Sequence, residues 1–343
     1  LGEPKSHTQG ERGIGNHEPN TTWVNQININ GKAVFVLLNR EEYLMFQTVK
    51  AWAKSEDDGR SWLSFFRKVP PSTATITGQW FDYSTASGVP VPNYYASSPL
   101  VSAVLDPLNG IYVPEQSTKR WIKKSIIMSA AASVTGTTNQ NQPLALLDYL
   151  LYYPFVDLDA AGEEQVFENT VSLPRYTDGV GVKIMVVAQA PTVGGGTFTV
   201  KYIDTNDVEN TTSVVFCPAA QPSGALVTSV AAAAGISPFI PLNINVRGVK
   251  RLVSVTVGVA NGGLAAFVLV KPFQMTYARE ECRRPTSSPT ESYGDASEIE
   301  QIRMRPGTDE VKAGAFLGWI GQGIAGSLAS APLVGMIETF WSE

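Results

Sequence analysis

After His17 the chain contains no histidine; His7 and His17 are its only two, both in a polar leader. The remaining body therefore has no Ser/His or Cys/His nucleophile pair and no imidazole to hold a metal. Cysteine is equally scarce, with Cys217 in an apolar run and Cys282 in a charged stretch. Two such distant thiols suggest neither a disulfide framework nor a zinc cage, which needs clustered ligands. Charge is also thin, at 17% of residues and a net −5, so no basic field exists to hold a phosphate backbone, and nucleic acid is excluded as a partner. No GxxxxGK[ST] phosphate loop and no G-x-S-x-G elbow occurs. Nor does a basic segment followed by an apolar run open the chain, so no secretory signal is expected. For that reason the Asn20 and Asn210 sequons carry no weight. No catalytic, cofactor-binding or metal-binding residue is assigned, and the chain is expected not to be an enzyme.

What is present is β-forming. The chain of 343 residues is 43% apolar, enough for a sizeable core and about two domains. Gly, Pro, Ser, Thr, Val and Asn are plentiful, the composition of short strands joined by tight turns. Residues 1–22 mix both charge signs with Gly and Pro and read as a flexible polar arm. Residues 23–78 read as an N-terminal hairpin region, because WVNQINI and KAVFVLL flank Asn30-Gly31, a type I′ turn dipeptide. Within it Ser55, Asp57, Gly59, Ser61 and Trp62 fit S-x-D-x-G-x-[ST]-W, the Asp-box of sialidase-like propellers. Its expected role is a stabilised hairpin tip, with the carboxylate capping the turn and the tryptophan beneath. A helix over Glu41 to Lys54 is the alternative there.

Residues 79–118 are irregular and rich in Pro, Ser and Tyr, a segment that covers a surface or reaches a neighbour. Residues 119–282 bring strand after strand, among them GVKIMVVAQAP, GTFTVKYIDT, RLVSVTVGVA and LAAFVLVKPFQMTYA. Asp178-Gly179, Asn206-Asp207 and Asn261-Gly262 offer tight-hairpin chemistry between them. This spacing predicts an antiparallel β-sandwich or jelly roll. The stretch Asn210 to Val246 is uncharged and suits contact with other subunits. Residues 283–311 read as a polar linker, and 312–343 as a C-terminal strand pair completing the body.

The run LLDYLLYYPFVDLD, from Leu146 to Asp159, predicts a strand apolar on both faces, with Leu147, Tyr149, Leu151, Tyr153 and Phe155 on one side. A helix ending before Pro154 is the competing assignment. Two features near the C-terminus mimic known motifs. Gly321, Gly323 and Gly326 spell G-x-G-x-x-G, but no helix and second strand fit in the 17 residues that follow. Residues 313–337 are uncharged and hold a Gly314/Gly318 small-xxx-small pair. Their glycines, Gln322 and Pro332 fit two strands and a loop better than a membrane span.

Carboxylate chemistry is what remains. Asp82, Asp148, Asp157, Asp159 and Asp178 are the candidate acids, and a glycosidase would need two of them in one aromatic-lined cleft. The competing structural assignments are a buried Asp148 satisfied by backbone N–H groups or by Arg175 or Arg120, and Asp178 opening a turn.

Five stretches, GQWFDYSTASGVPVPNYYASSPL, LLDYLLYYPFVD, NTVSLPRYTDGVGVKIMVVAQAP, AAFVLVKPFQMTYARE and GAFLGWI, together resemble a family of structural proteins of tailed double-stranded DNA bacteriophages, encoded near the major capsid protein. The resemblance runs from about Gln79 to the C-terminus. It implies a non-enzymatic virion component made in the bacterial host cytoplasm, foremost a capsid decoration or cement protein on the shell surface. The implied partners are the major capsid protein and further copies of the chain, with a trimer expected by analogy to shell-bound β-proteins on threefold positions. A tail, collar or fibre protein that binds a receptor or polysaccharide, or hydrolyses glycan with carboxylates, is the alternative.

Overall fold

The computed structural model describes residues 24–29, 32–37, 54–72, 78–116, 118–129, 142–227, 237–278, 297–300, 310–323, 328 and 332–341. Two compact units divide the chain, residues 1–53 and 54–343. In the first, β1 (Val24–Ile29) and β2 (Lys32–Leu37) pair antiparallel with Ile29 opposite Lys32. That register leaves two residues for the connection, as the Asn-Gly dipeptide requires. The arm 1–22 and the helix considered over 41–53 lie outside the described residues, as do the linker residues 283–296 and 301–309.

The second unit contains β3 (Ser61–Val69), β4 (Trp80–Asp82), β5 (Ser87–Val89), β6 (Arg120–Ser129), β7 (Gln142–Asp157), β8 (Glu164–Val166), β9 (Lys183–Ala188), β10 (Gly196–Asp204), β11 (Glu209–Thr211), β12 (Val215–Cys217), β13 (Val249–Val259), β14 (Leu264–Ala278), β15 (Ser297–Glu300), β16 (Phe316–Gln322) and β17 (Leu333–Trp341). They form three sheets of five strands, and every strand pairing is antiparallel. The expected mainly β, antiparallel, layered body is present.

The central sheet runs β4-β16-β7-β14-β9 and curls on itself. Its two edge strands are bridged by one short segment, residues 224–227. On one side Asp82 N donates to Gly224 O and Leu226 N to Trp80 O; on the other, Ala188 N donates to Ala225 O and Val227 N to Val186 O. Closure removes the exposed edges that would otherwise invite pairing with other chains. The inside is filled by Trp80, Leu147, Tyr149, Val187, Leu226, Val268, Phe316 and Ile320. Part of the uncharged stretch 210–246, expected to meet other subunits, is thus consumed within the same chain.

Outside, the curled sheet meets a sheet on each of two flanks. Leu151, Tyr153, Ile184 and Phe267 pack against Phe198, Val200, Leu252 and Val255 of the sheet containing β8 and β10–β13. Leu144, Leu146, Leu317 and Trp319 pack against Phe66, Ile122, Ile127 and Ile337 of the sheet β15-β6-β17-β3-β5. Position in this stack explains the sequence patterns. Strand β10 has one covered face and alternates, with Phe198, Val200 and Tyr202 buried between half-buried Thr197, Thr199 and Lys201. Strand β7 lies between layers and is buried almost throughout.

Several expectations need correction. The odd residues of β7 do not share one face. Opposite β14, Leu269 pairs with Leu151 and Val270 with Tyr149, so Leu150 is an extra residue, and a second irregularity falls at Pro154-Phe155, where Phe155 has φ +58°. Each bulge reverses the alternation. Leu147 and Tyr149 consequently point into the curled sheet while Leu151 and Tyr153 point out. The hairpin region 23–78 is not a unit, because β3 belongs to the body, where it pairs with β17 and β5. The Asp-box is not built as one: Gly59 takes φ +67° in the turn, but Asp57 is exposed, Trp62 is 44% exposed, and the partners of β3 are remote in sequence. Of the three turn dipeptides only Asn206-Asp207 closes a hairpin, β10 to β11. Asn261-Gly262 carries the chain from one sheet to another, and Asp178-Gly179 sits in the connection between β8 and β9. The C-terminal strands are not partners, since β16 enters the central sheet and β17 lies between β6 and β3.

Candidate functional site

Strand β4 is three residues long, and its alternation turns Trp80 and Asp82 into the curled sheet. Asp82 then caps a short 3-10 turn over Tyr83–Thr85. Its carboxylate collects four donors: Ser84 N at 2.9 Å and Tyr149 Oη at 2.7 Å on Oδ1, and Ser84 Oγ at 2.9 Å and Tyr95 Oη on Oδ2. Burial pushes the Asp82 pKa upward, and the hydroxyl and amide donors oppose it. Burial, then the charge of Asp82, holds both tyrosines well above their ordinary range, so they remain protonated donors. Nearby, Lys68 is 6% exposed and its Nζ donates to the carbonyls of Ser84, Ala86 and Val91, each at 3.2 Å. Burial brings its pKa down to about 8, against the opposing charge of Asp82. The tyrosine cluster was not anticipated from sequence. Nor was an inward Lys68: the structure buries Ser64, Phe66 and Lys68 and exposes Leu63, Phe65 and Arg67, although the latter set is no less apolar in sequence.

Asp148 lies on the opposite face of the central sheet from the Tyr149 side chain. Arg175 grips it with Nε to Oδ2 at 2.9 Å and Nη2 to Oδ1 at 2.7 Å, and Phe316 N adds a bond at 3.2 Å. Burial raises its pKa to about 6, and the guanidinium pulls in the other direction. With the guanidinium and an amide both serving the charged form, Asp148 is an ionised structural partner at neutral pH. Of the two arginines expected there, Arg175 takes the role; Arg120 bonds the carbonyls of Val113 and Pro114 instead.

The other acids are turn residues. Asp157 Oδ1 accepts from Asp159 N at 2.9 Å, and Asp178 Oδ1 from Val180 N at 3.1 Å, all three acids being exposed. Asp82 and Asp148 are both fully buried and face opposite sides of one sheet, so they do not make a carboxylate pair across a cleft. Gly321 of the dinucleotide-like motif has a packing reason. A Cβ on Gly321 would lie 2.6 Å from Gln142 Nε2 and 2.7 Å from Tyr83 Cε2. Among the described residues no helix is long and apolar enough to cross a membrane, and no group of His, Cys, Asp and Glu is placed to hold a metal. Cys217 is buried and unpaired with another cysteine, while Cys282 lies outside the described residues.

The outer face of the sheet formed by β3, β6 and β17 is a different kind of feature. Cross-strand register aligns Phe65, Met336 and Ile126 in one row, with Arg67, Val334 and Met128 in the next. Phe65 is 66% exposed, Leu63 48% and Met128 41%, whereas the opposite face of the same strands supplies core residues. No family model, curated protein or solved structure matches this chain.

Proposed function

We propose that the protein is a non-enzymatic structural component of a bacteriophage virion, a decoration or cement protein that binds the shell of major capsid proteins. The observation that carries this reading is the outer face on which exposed Leu63, Phe65 and Met128 adjoin half-buried Met336 and Ile126. Contiguous apolar surface on a folded body is a mark of a protein contact. In the adjoining rows Arg67 lies opposite Val334 and Lys124 opposite Glu338, so charged side chains stand beside the apolar ones, as they do where an apolar contact is bordered by polar groups. The buried acids support the same reading, since Asp82 and Asp148 are occupied by structural donors. Repetition around a shell would multiply a modest contact at each copy through avidity.

The test is cosedimentation of purified protein with undecorated shells, comparing wild type with Phe65→Glu. Wild type is expected to load to a copy number set by the shell lattice, and the variant to lose binding while melting at an unchanged temperature. Equal loading of the two would remove this face from the interface, and no loading of wild type would sink the decoration reading.

A further inference from the structure

Tyr94 is the most exposed aromatic ring among the described residues, at 70%, yet Asn93 and Tyr95 beside it are 8% and 1% exposed. The backbone beneath it is fixed. Gln189 Nε2 donates to the carbonyls of Tyr94 and Tyr95, each at 3.3 Å, and Gln189 Oε1 accepts from Phe155 N at 2.6 Å. Tyr95 holds φ +50°, a conformation that a bulky side chain adopts only when its surroundings impose it. The strain is spent on sending one ring inward and its neighbour out.

The outward ring borders a cleft of about 260 Å³ that Asn93, Ser87, Gln189 and Ser223 also line. None of the described residues lining it is charged. Asn93 Oδ1 accepts from Tyr95 N at 3.0 Å, but the buried Asn93 Nδ2 has no hydrogen-bond partner among the described residues. A buried amide donor without a partner is costly and calls for an explanation.

We propose that this cleft is a binding site for a neutral sugar. A pyranose has one face of C–H groups, which would pack on the Tyr94 ring, and an edge of hydroxyls that can accept from an amide and exchange bonds with serine. The absence of a lining charge disfavours anions and cations, which need a partner of opposite sign. A purely apolar ligand would leave the Asn93 amide unmatched. The volume lies below the range of about 300–1,000 Å³ typical of drug-sized ligands and suits a single ring. The site goes beyond the shell-binding proposal and stands independently of it, since it shares none of the residues of the β3, β6 and β17 face.

The experiment is saturation-transfer NMR on the full chain with the methyl glycosides of glucose, galactose, mannose, N-acetylglucosamine and rhamnose, and with glucuronic acid as a charged control. At least one neutral sugar is expected to bind through one C–H face, with little response to added salt. Tyr94→Ala should weaken it about tenfold, and Tyr94→Trp should retain it. Ser87→Trp, at an exposed position, should block the cleft by bulk, and serves if the alanine variant misfolds. Absence of transfer from all five neutral sugars overturns the site, as does wild-type affinity in folded Tyr94→Ala or Ser87→Trp. Binding of glucuronic acid alone overturns the assignment to neutral ligands.

Discussion

The Tyr149 hydroxyl donates to Asp82 Oδ1 at 2.7 Å, tying β7 to β4 although β16 lies between them in the sheet. Curling brings the two strands within reach, and the bond lies inside the packed interior. Tyr149→Phe keeps the ring and removes one donor from a buried carboxylate. The expected loss is about 1.5–3 kcal/mol in chemical denaturation, the range for a hydrogen bond to a charged group. The Asp82 pKa should rise further, visible by carboxyl-carbon NMR.

Asp148→Asn leaves Arg175 half-buried without its carboxylate. Breaking one side of such a pair costs about 3–5 kcal/mol. In the wild type the carboxyl should titrate near pH 6 rather than near 3.8. Because the folded-state pKa lies above the unfolded one, the folded chain holds the extra proton between those values. The contribution of this group to stability therefore falls as pH rises through that window. Denaturation at a series of pH values, wild type against Asp148→Asn, checks the sign.

Lys68 has the opposite displacement for a base. Folded Lys68 releases its proton near pH 8, and the unfolded chain near 10.5. Between these values the unfolded state binds more protons, so stability gains from this group as pH rises. Lys68→Met should abolish that slope and lower stability at neutral pH, where three carbonyls lose their donor. The comparison is of denaturation midpoints across pH 8–10.

Gly318→Ala tests why a strand of the central sheet carries glycines. A Cβ there would lie 2.9 Å from Tyr149 Cε2. Overpacking of this kind typically costs about 1–3 kcal/mol. If Tyr149→Ala is added, the penalty of the glycine substitution should shrink, a coupling that a double-mutant cycle measures.

Much of the fold was legible because strands declare themselves locally. Period-two alternation marked β10, and a two-sided apolar run marked β7 as an inner strand. The pairing of Asp148 with Arg175 was within reach for a related reason, since a charge in such a run needs a partner of opposite sign. Partnership between strands was not legible. Whether Asn261-Gly262 closes a hairpin or passes between layers depends on sheets built from remote segments. The bulge at Leu150 leaves no signature either, because leucine suits both faces of β7. Tyr94 and Tyr95 are identical in sequence, and only the backbone conformation decides which ring enters the core.

The link between β4 and β16 has a consequence for biosynthesis. Ile320 pairs with Asp82, and β16 also covers the edge of β7 from Leu144 to Tyr149. A ribosome making this chain releases β7 long before β16 exists, so an apolar strand edge waits unpaired until β16 has emerged. Folding from the N-terminus onward, usual for domains made one after another, cannot complete this body. Nascent chains ending before residue 316 should be captured by chaperones or proteases, whereas those extending past 341 become resistant, and pulse-chase proteolysis of stalled chains would show the step.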